Sequence, residues 1–168
     1  MAVNGYKNDS LLKNLAVYGD SQIEGEILML TTEHLQRCIC SLESALAMYQ
    51  KAANSIEQDV FRNAIEKGFE LTQEISFKLL KRALKDFGHG AKKLDATPIK
   101  ELLRLSATHS LMSLKEVERW FAYRDNRNNT AHDYGEGFAK DTLRLLPNFI
   151  ADAKVLETIL HARFNEEA

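Results

Sequence analysis

Residues 120–137 read WFAYRDNRNNTAHDYGEG. Arg124, Asp125, Asn126, Arg127, Asn128, Asn129, Thr130, His132, Asp133 and Tyr134 fall within eleven consecutive positions. A helix interior disfavours this composition, because Asn and Asp side chains compete with the helix backbone for its hydrogen bonds. The chemistry it suits is that of a phosphodiester. Arg presents a charged fork to phosphate oxygens, His moves a proton near neutral pH, and the amides can orient either group. RNA carries its own nucleophile, the 2′-hydroxyl, so a His and an Arg suffice for cleavage by internal attack, leaving a 2′,3′-cyclic phosphate. Arg127 and His132 stand five positions apart, which is about 140° around an unbroken helix. Convergence on one ligand requires the helix to end or bend between them, and the pattern predicts that it fails in the Asn-rich stretch 126–129. Composition alone leaves a second reading open. Arg and Asp near a helix end also form exposed pairs worth little, and a single His serves packing more often than catalysis.

The elements that must position these residues are helical. Only two Pro and eight Gly punctuate the chain, and no Val/Ile/Thr-rich alternating run signals a strand. From Thr32, Leu35, Ile39, Leu42, Leu46 and Tyr49 follow steps of three and four, one apolar face. A second helix is expected over 56–87, with Val60, Phe61, Ile65, Phe69, Thr72, Ile75, Leu79, Ala83 and Phe87 inside and Gly88 and Gly90 as stop signals. Pro98 opens a short helix over 99–108. Ser113 and Glu116 have capping-box spacing and open the helix of Val117, Trp120 and Phe121. A last helix over 138–161 carries Leu143, Leu146, Ile150, Ala153, Leu156 and Leu160, with Pro147 expected to kink or split it. The fold class is therefore all-α, an up-and-down bundle of four to five helices. Residues 1–30 are expected to form an N-terminal arm and 31–168 the bundle domain.

Composition narrows the function. The 168 residues are 45% apolar and 27% charged, an ordinary globular balance. A chain of this length can bury about 70% of its unfolded surface, enough for a core without staples. The net charge of −2 excludes a globally basic nucleic-acid coat but not a local patch. Such a patch is present: from Lys78 to Arg104 eight cations face three anions, a local charge of +5. Lys78, Lys81, Arg82 and Lys85 share one helix face and are candidates for tracking RNA phosphates; cations suited to a helix C-terminus are the other reading. Cys38 and Cys40 make neither a disulfide framework nor a four-ligand zinc site. His34, His89, His109 and His161 have no metal-ligand spacing, so no metal and no cofactor is expected. No apolar run approaches the roughly 18 residues of a membrane span, and the start of the chain lacks a secretory pattern, so the expectation is a soluble, cytoplasmic protein.

Arg127-x4-His132-x-Tyr134 resembles the Arg-x4-His-x-Tyr signature of HEPN domains. The wider window from Trp120 to Glu136 is similar to the nucleotidyltransferase substrate-binding protein branch of that superfamily. The stretch from Phe61-Arg62-Asn63 to Leu80-Lys81 resembles its long second helix, and the likeness spans about residues 32–162. The resemblance implies a helical bundle that forms a homodimer and brings two Arg/His motifs together. It implies a metal-independent endoribonuclease acting on RNA, the toxin of a pair whose antitoxin is an MNT-type nucleotidyltransferase. Carried onto this chain, Arg127 stabilises the phosphate, His132 is the acid/base and Asn128 orients the site, with Arg124 and Asp125 in support. Tyr134 is the target for AMP transfer by the partner. An AMP group adds negative charge and bulk where RNA phosphate must dock. The branch also implies an alternative, a non-catalytic substrate-binding or regulatory subunit of the nucleotidyltransferase.

Overall fold

A computed structural model describes residues 31–130 and 136–166, with the side chains of Thr130, 136–139 and 166 outside the description. Among the described residues there are six helices and no strand: α1 (Thr32–Lys51), α2 (Ser55–Asp86), α3 (Ala91–Ala96), α4 (Ile99–Thr108), α5 (Leu114–Thr130) and α6 (Glu136–Glu166). The expected all-α bundle is the observed fold. None of these helices is long and apolar enough to cross a membrane. The expected arm over 1–30 lies outside the described residues.

The helix ends follow from local chemistry. The Asn54 side chain accepts from Glu57 N at 3.0 Å, and Glu57 accepts in return from Ala53 N at 3.0 Å, which satisfies two otherwise unpaired donors where α2 begins. Gly88 takes φ +90°, and His89 N reaches back to Leu84 O at 3.2 Å, so α2 ends in the left-handed turn its sequence signalled. Gly90 instead starts the short α3, at φ −64°. The Ser113/Glu116 capping box forms as spaced: Ser113 N donates to Glu116 at 2.7 Å and Glu116 N to Ser113 Oγ at 3.2 Å.

The core lies where α1, α2, α5 and α6 bury their stripes. Leu35, Ile39 and Leu42 of α1 and Ile65, Phe69 and Leu79 of α2 are all 2% exposed or less. Gly68 allows the close approach of α1 and α2, because a Cβ there would sit 3.1 Å from Leu42 Cδ1. Trp120 and Tyr123 of α5, Phe149 of α6, and Phe69 and Phe77 of α2 interlock edge to face, with centroids 4.6 to 5.9 Å apart. This aromatic cluster fixes α5 against the two long helices.

Three expectations need correction, and of the kink or split expected at Pro147 the split is absent. Val60 is 58% and Phe87 37% exposed, not part of the inner stripe. Residues 55–60 are all exposed, so the start of α2 lies outside the core. Phe87 caps α2 with its ring between the His109 ring, at 4.2 Å, and the Arg163 guanidinium, at 3.7 Å. Helix α5 does not fail at 126–129 but continues to Thr130, because tertiary partners of Asn126 and Arg127 outweigh weak intrinsic propensity. Helix α6 passes Pro147 without splitting; the ring is exposed while Leu146 and Phe149 beside it are fully buried.

Candidate active site

The motif helix is locked one turn before Arg127. Trp120 and Tyr123 are at most 1% exposed. The Tyr123 hydroxyl donates to Asp152 of α6 at 2.7 Å. Arg119 grips the same carboxylate through two bonds of 2.7 Å, from Nε and Nη2. Asp152 is buried, and a buried carboxylate needs this pairing. Burial and the Asp152 carboxylate push the Tyr123 phenol well above its ordinary range, so it remains a donor. Gln73 Nε2 of α2 reaches the Tyr123 carbonyl at 3.3 Å. With α5 held on two sides, the residue four positions beyond Tyr123 has a fixed direction.

That residue is Arg127. Its Nη2 lies 2.5 Å from Glu70 Oε1 of α2, with both side chains about two-thirds buried, at 30% and 28% exposure. The other Glu70 oxygen receives Lys67 Nζ at 2.9 Å. The Lys67 and Arg127 hydrogen bonds hold the Glu70 carboxyl below its ordinary value. Arg124 is half-buried on the same helix. Its guanidinium lies 5.9 Å from the Phe77 ring, and its pKa is lowered by burial and by the charge of Arg127, with Glu74 opposing. Arg124 and Arg127, three positions apart on α5, thus both hold half-buried guanidiniums, with Glu70 paired to Arg127 and Glu74 acting on Arg124. Asn126 donates to Thr142 Oγ1 of α6 at 2.9 Å. It ties the helices together and does not itself carry the chemistry.

The other expected residues divide clearly. Asp125 pairs with Lys100 of α4 at 2.8 Å on the surface, so it braces α4 against α5. Asn128 is exposed. His132 and Tyr134 lie outside the described residues. Lys78, Lys81, Arg82 and Lys85 line one side of α2 at exposed or half-buried positions. Lys81 reaches Asp95 of α3 at 3.4 Å, and the Arg82 guanidinium lies 4.0 Å from the Phe164 ring. His89 and His109 bond to each other through their Nε2 atoms at 2.8 Å, and His161 meets Thr32 at 3.0 Å. Among the described residues no three His, Cys, Asp or Glu side chains gather to hold a metal. Both cysteines are free thiols, with Cys38 raised by burial.

The sequence reading missed Glu70 and Lys67, and the Arg119–Tyr123–Asp152 network. Glu70 is 57 positions from Arg127 and gives no local sign of the pairing. The network had one visible trace: Arg119 and Tyr123 stand at i, i+4, a spacing that stacks two polar groups on one helix face.

The family described as nucleotidyltransferase substrate binding protein like matches residues 30–162. A protein from Haemophilus influenzae named probable ribonuclease HepT is 32% identical over 110 residues, covering 65% of this chain and 73% of its own. A solved Haemophilus influenzae structure superposes with a TM-score of 0.68 at 26% identity, covering 77% of this chain and 98% of that one. It is described as the fold of a substrate-binding domain of a nucleotidyltransferase.

Proposed function

Since the chain belongs to the nucleotidyltransferase substrate binding protein like family, and its Arg-x4-His-x-Tyr stretch resembles the HEPN signature, we propose that it is a metal-independent endoribonuclease. In this reading it is the toxin of a HEPN/MNT toxin–antitoxin pair and works in the cytoplasm. The observation that carries the reading is Arg127, a guanidinium aimed by Glu70 from across the helix interface, beside Arg124 and five positions before His132. The likeness to a probable ribonuclease supports it.

The reaction is internal transesterification. The RNA 2′-oxygen attacks the adjacent phosphorus as its proton passes to a base. The bond from phosphorus to the 5′-oxygen breaks, and an acid supplies that oxygen with a proton. The products are a 2′,3′-cyclic phosphate and a 5′-hydroxyl. His132 fills the proton-transfer roles, and a homodimer supplies one His132 for each. Arg127 stabilises charge on the phosphate oxygens as it develops, Asn128 orients the site and Arg124 adds positive potential. Asp125, bound to Lys100, supports the helix. The basic face of Lys78, Lys81, Arg82 and Lys85 guides the RNA backbone toward Arg127.

The partner is an MNT-type nucleotidyltransferase that silences the enzyme by transferring AMP to Tyr134. A second reading is favoured by the description of the solved relative: a non-catalytic subunit that presents substrate to the nucleotidyltransferase. RNA incubated in EDTA with the wild type and with His132→Ala separates the two. Cleavage by the wild type and intact RNA with the variant is the expected result. Equally intact RNA with both supports the non-catalytic reading. Mass spectrometry of the chain co-expressed with its partner tests whether Tyr134 gains AMP.

A further inference from the structure

A groove of 410 Å³ opens between the last turn of α1, the first turns of α2 and the second turn of α6. Tyr49 and Leu143 give it an aromatic and an aliphatic wall, Gln58 a side-chain amide, and Arg62 and Lys140 two cations. Its volume suits a small organic ligand. Asp59 also lines it and pairs with Arg62 at 2.8 Å, so the lining carries two positive charges against one negative.

The position of the groove matters as much as its charge. Arg62 and Glu70 are eight residues apart on α2, which is about 12 Å along the helix axis. Lys78, where the basic face begins, is a further eight residues on. Arg127, held on Glu70, therefore lies about 12 Å along the axis from each, with Arg62 and Lys78 turned about 80° to either side of Glu70 around the helix. A single strand that places one phosphate at Arg127 brings a neighbouring nucleotide within reach of the groove.

The geometry points to this groove as a subsite for a nucleotide flanking the cleaved bond, with Arg62 and Lys140 on its phosphate and the Tyr49 ring as a stacking surface for its base. Cations that track a backbone, together with an aromatic ring for the base, are the usual means of holding single strands. The inference rests on the ribonuclease reading and adds residues outside the motif that set affinity. Asp59 opposes the incoming phosphate, so its neutralisation acts in the opposite direction to loss of Arg62.

Fluorescence anisotropy of the full chain with a labelled 2′-O-methyl RNA tests this, because that RNA lacks the attacking hydroxyl and binding is read without cleavage. Arg62→Gln and Lys140→Gln should each weaken binding about 3- to 10-fold and reduce the slope of log affinity against log salt by about 0.7. Tyr49→Leu should weaken it about tenfold, and Asp59→Asn should tighten it. Thermal melting checks that each variant folds. Lys140 is exposed, so Lys140→Gln carries the test if Arg62→Gln does not fold. Unchanged affinity and slope in the folded Arg62→Gln and Lys140→Gln proteins overturn the subsite and leave the ribonuclease reading standing. So does absence of binding by a chain that cleaves ordinary RNA. A wild type that neither binds nor cleaves RNA overturns both.

Discussion

Replacing Glu70 with Ala removes the carboxylate that aims Arg127 and also pairs with Lys67. A unit pair at 4 Å and an effective dielectric near 20 is worth about 4 kcal/mol before desolvation. The Glu70 and Arg127 side chains keep 28% and 30% exposure. Screening and the cost of ordering two long side chains bring the net coupling to about 1 kcal/mol. For a domain of this size that is a drop of about 2–5 °C in melting temperature. The pH dependence has a definite sign. The Glu70 carboxyl is held below its ordinary value of 4.5, so its stabilisation is complete above that value and is lost as pH falls through the lower folded value. Urea unfolding of the wild type, Glu70→Ala, Arg127→Ala and the double variant gives the coupling directly. At neutral pH the cycle should return about 1 kcal/mol, and the gap between wild type and Glu70→Gln should close in acid. Activity should fall about tenfold in Glu70→Ala, through kcat more than KM, because the guanidinium is misdirected and not removed. Additivity within about 0.3 kcal/mol, or a gap that does not change with pH, would mean that Glu70 does not hold Arg127 through its charge.

Asp152→Asn should cost about 2–4 kcal/mol in thermal melts, because it strips the charge from a buried acceptor shared by Arg119 and Tyr123. Tyr123→Phe should cost about 1 kcal/mol, and a smaller loss from Asp152→Asn than from Tyr123→Phe contradicts this account of the network. Reversing charge at Lys81 and Lys85 should flatten the salt dependence of RNA binding, and an unchanged slope removes the basic face from the account.

Much of the fold could be read from the chain because its helices obey local rules. The three-and-four spacing of Leu35, Ile39 and Leu42 gave the buried face of α1, and the Ser113/Glu116 box marked where α5 starts. The motif was equally local: Arg127, His132 and Tyr134 stand within eight consecutive positions. What escaped depends on distant contacts. The Asn-rich run looked like a helix breaker, yet Thr142 and Glu70, on two other helices, hold Asn126 and Arg127 in helical conformation. Phe87 fits the apolar period of α2, but it stands at the helix end, where His109 and Arg163 cover its ring. Asp152 gives no local sign of its role in the sequence, because it becomes a buried acceptor through Arg119 and Tyr123 on another helix.

The identity of the RNA ends left by the purified chain in EDTA bears most directly on the catalytic claim. Attack by the 2′-hydroxyl leaves a 2′,3′-cyclic phosphate and a 5′-hydroxyl, and both should disappear with Arg127→Ala or His132→Ala. Ends bearing a 3′-hydroxyl and a 5′-phosphate, or the same products from the His132→Ala protein, would contradict it.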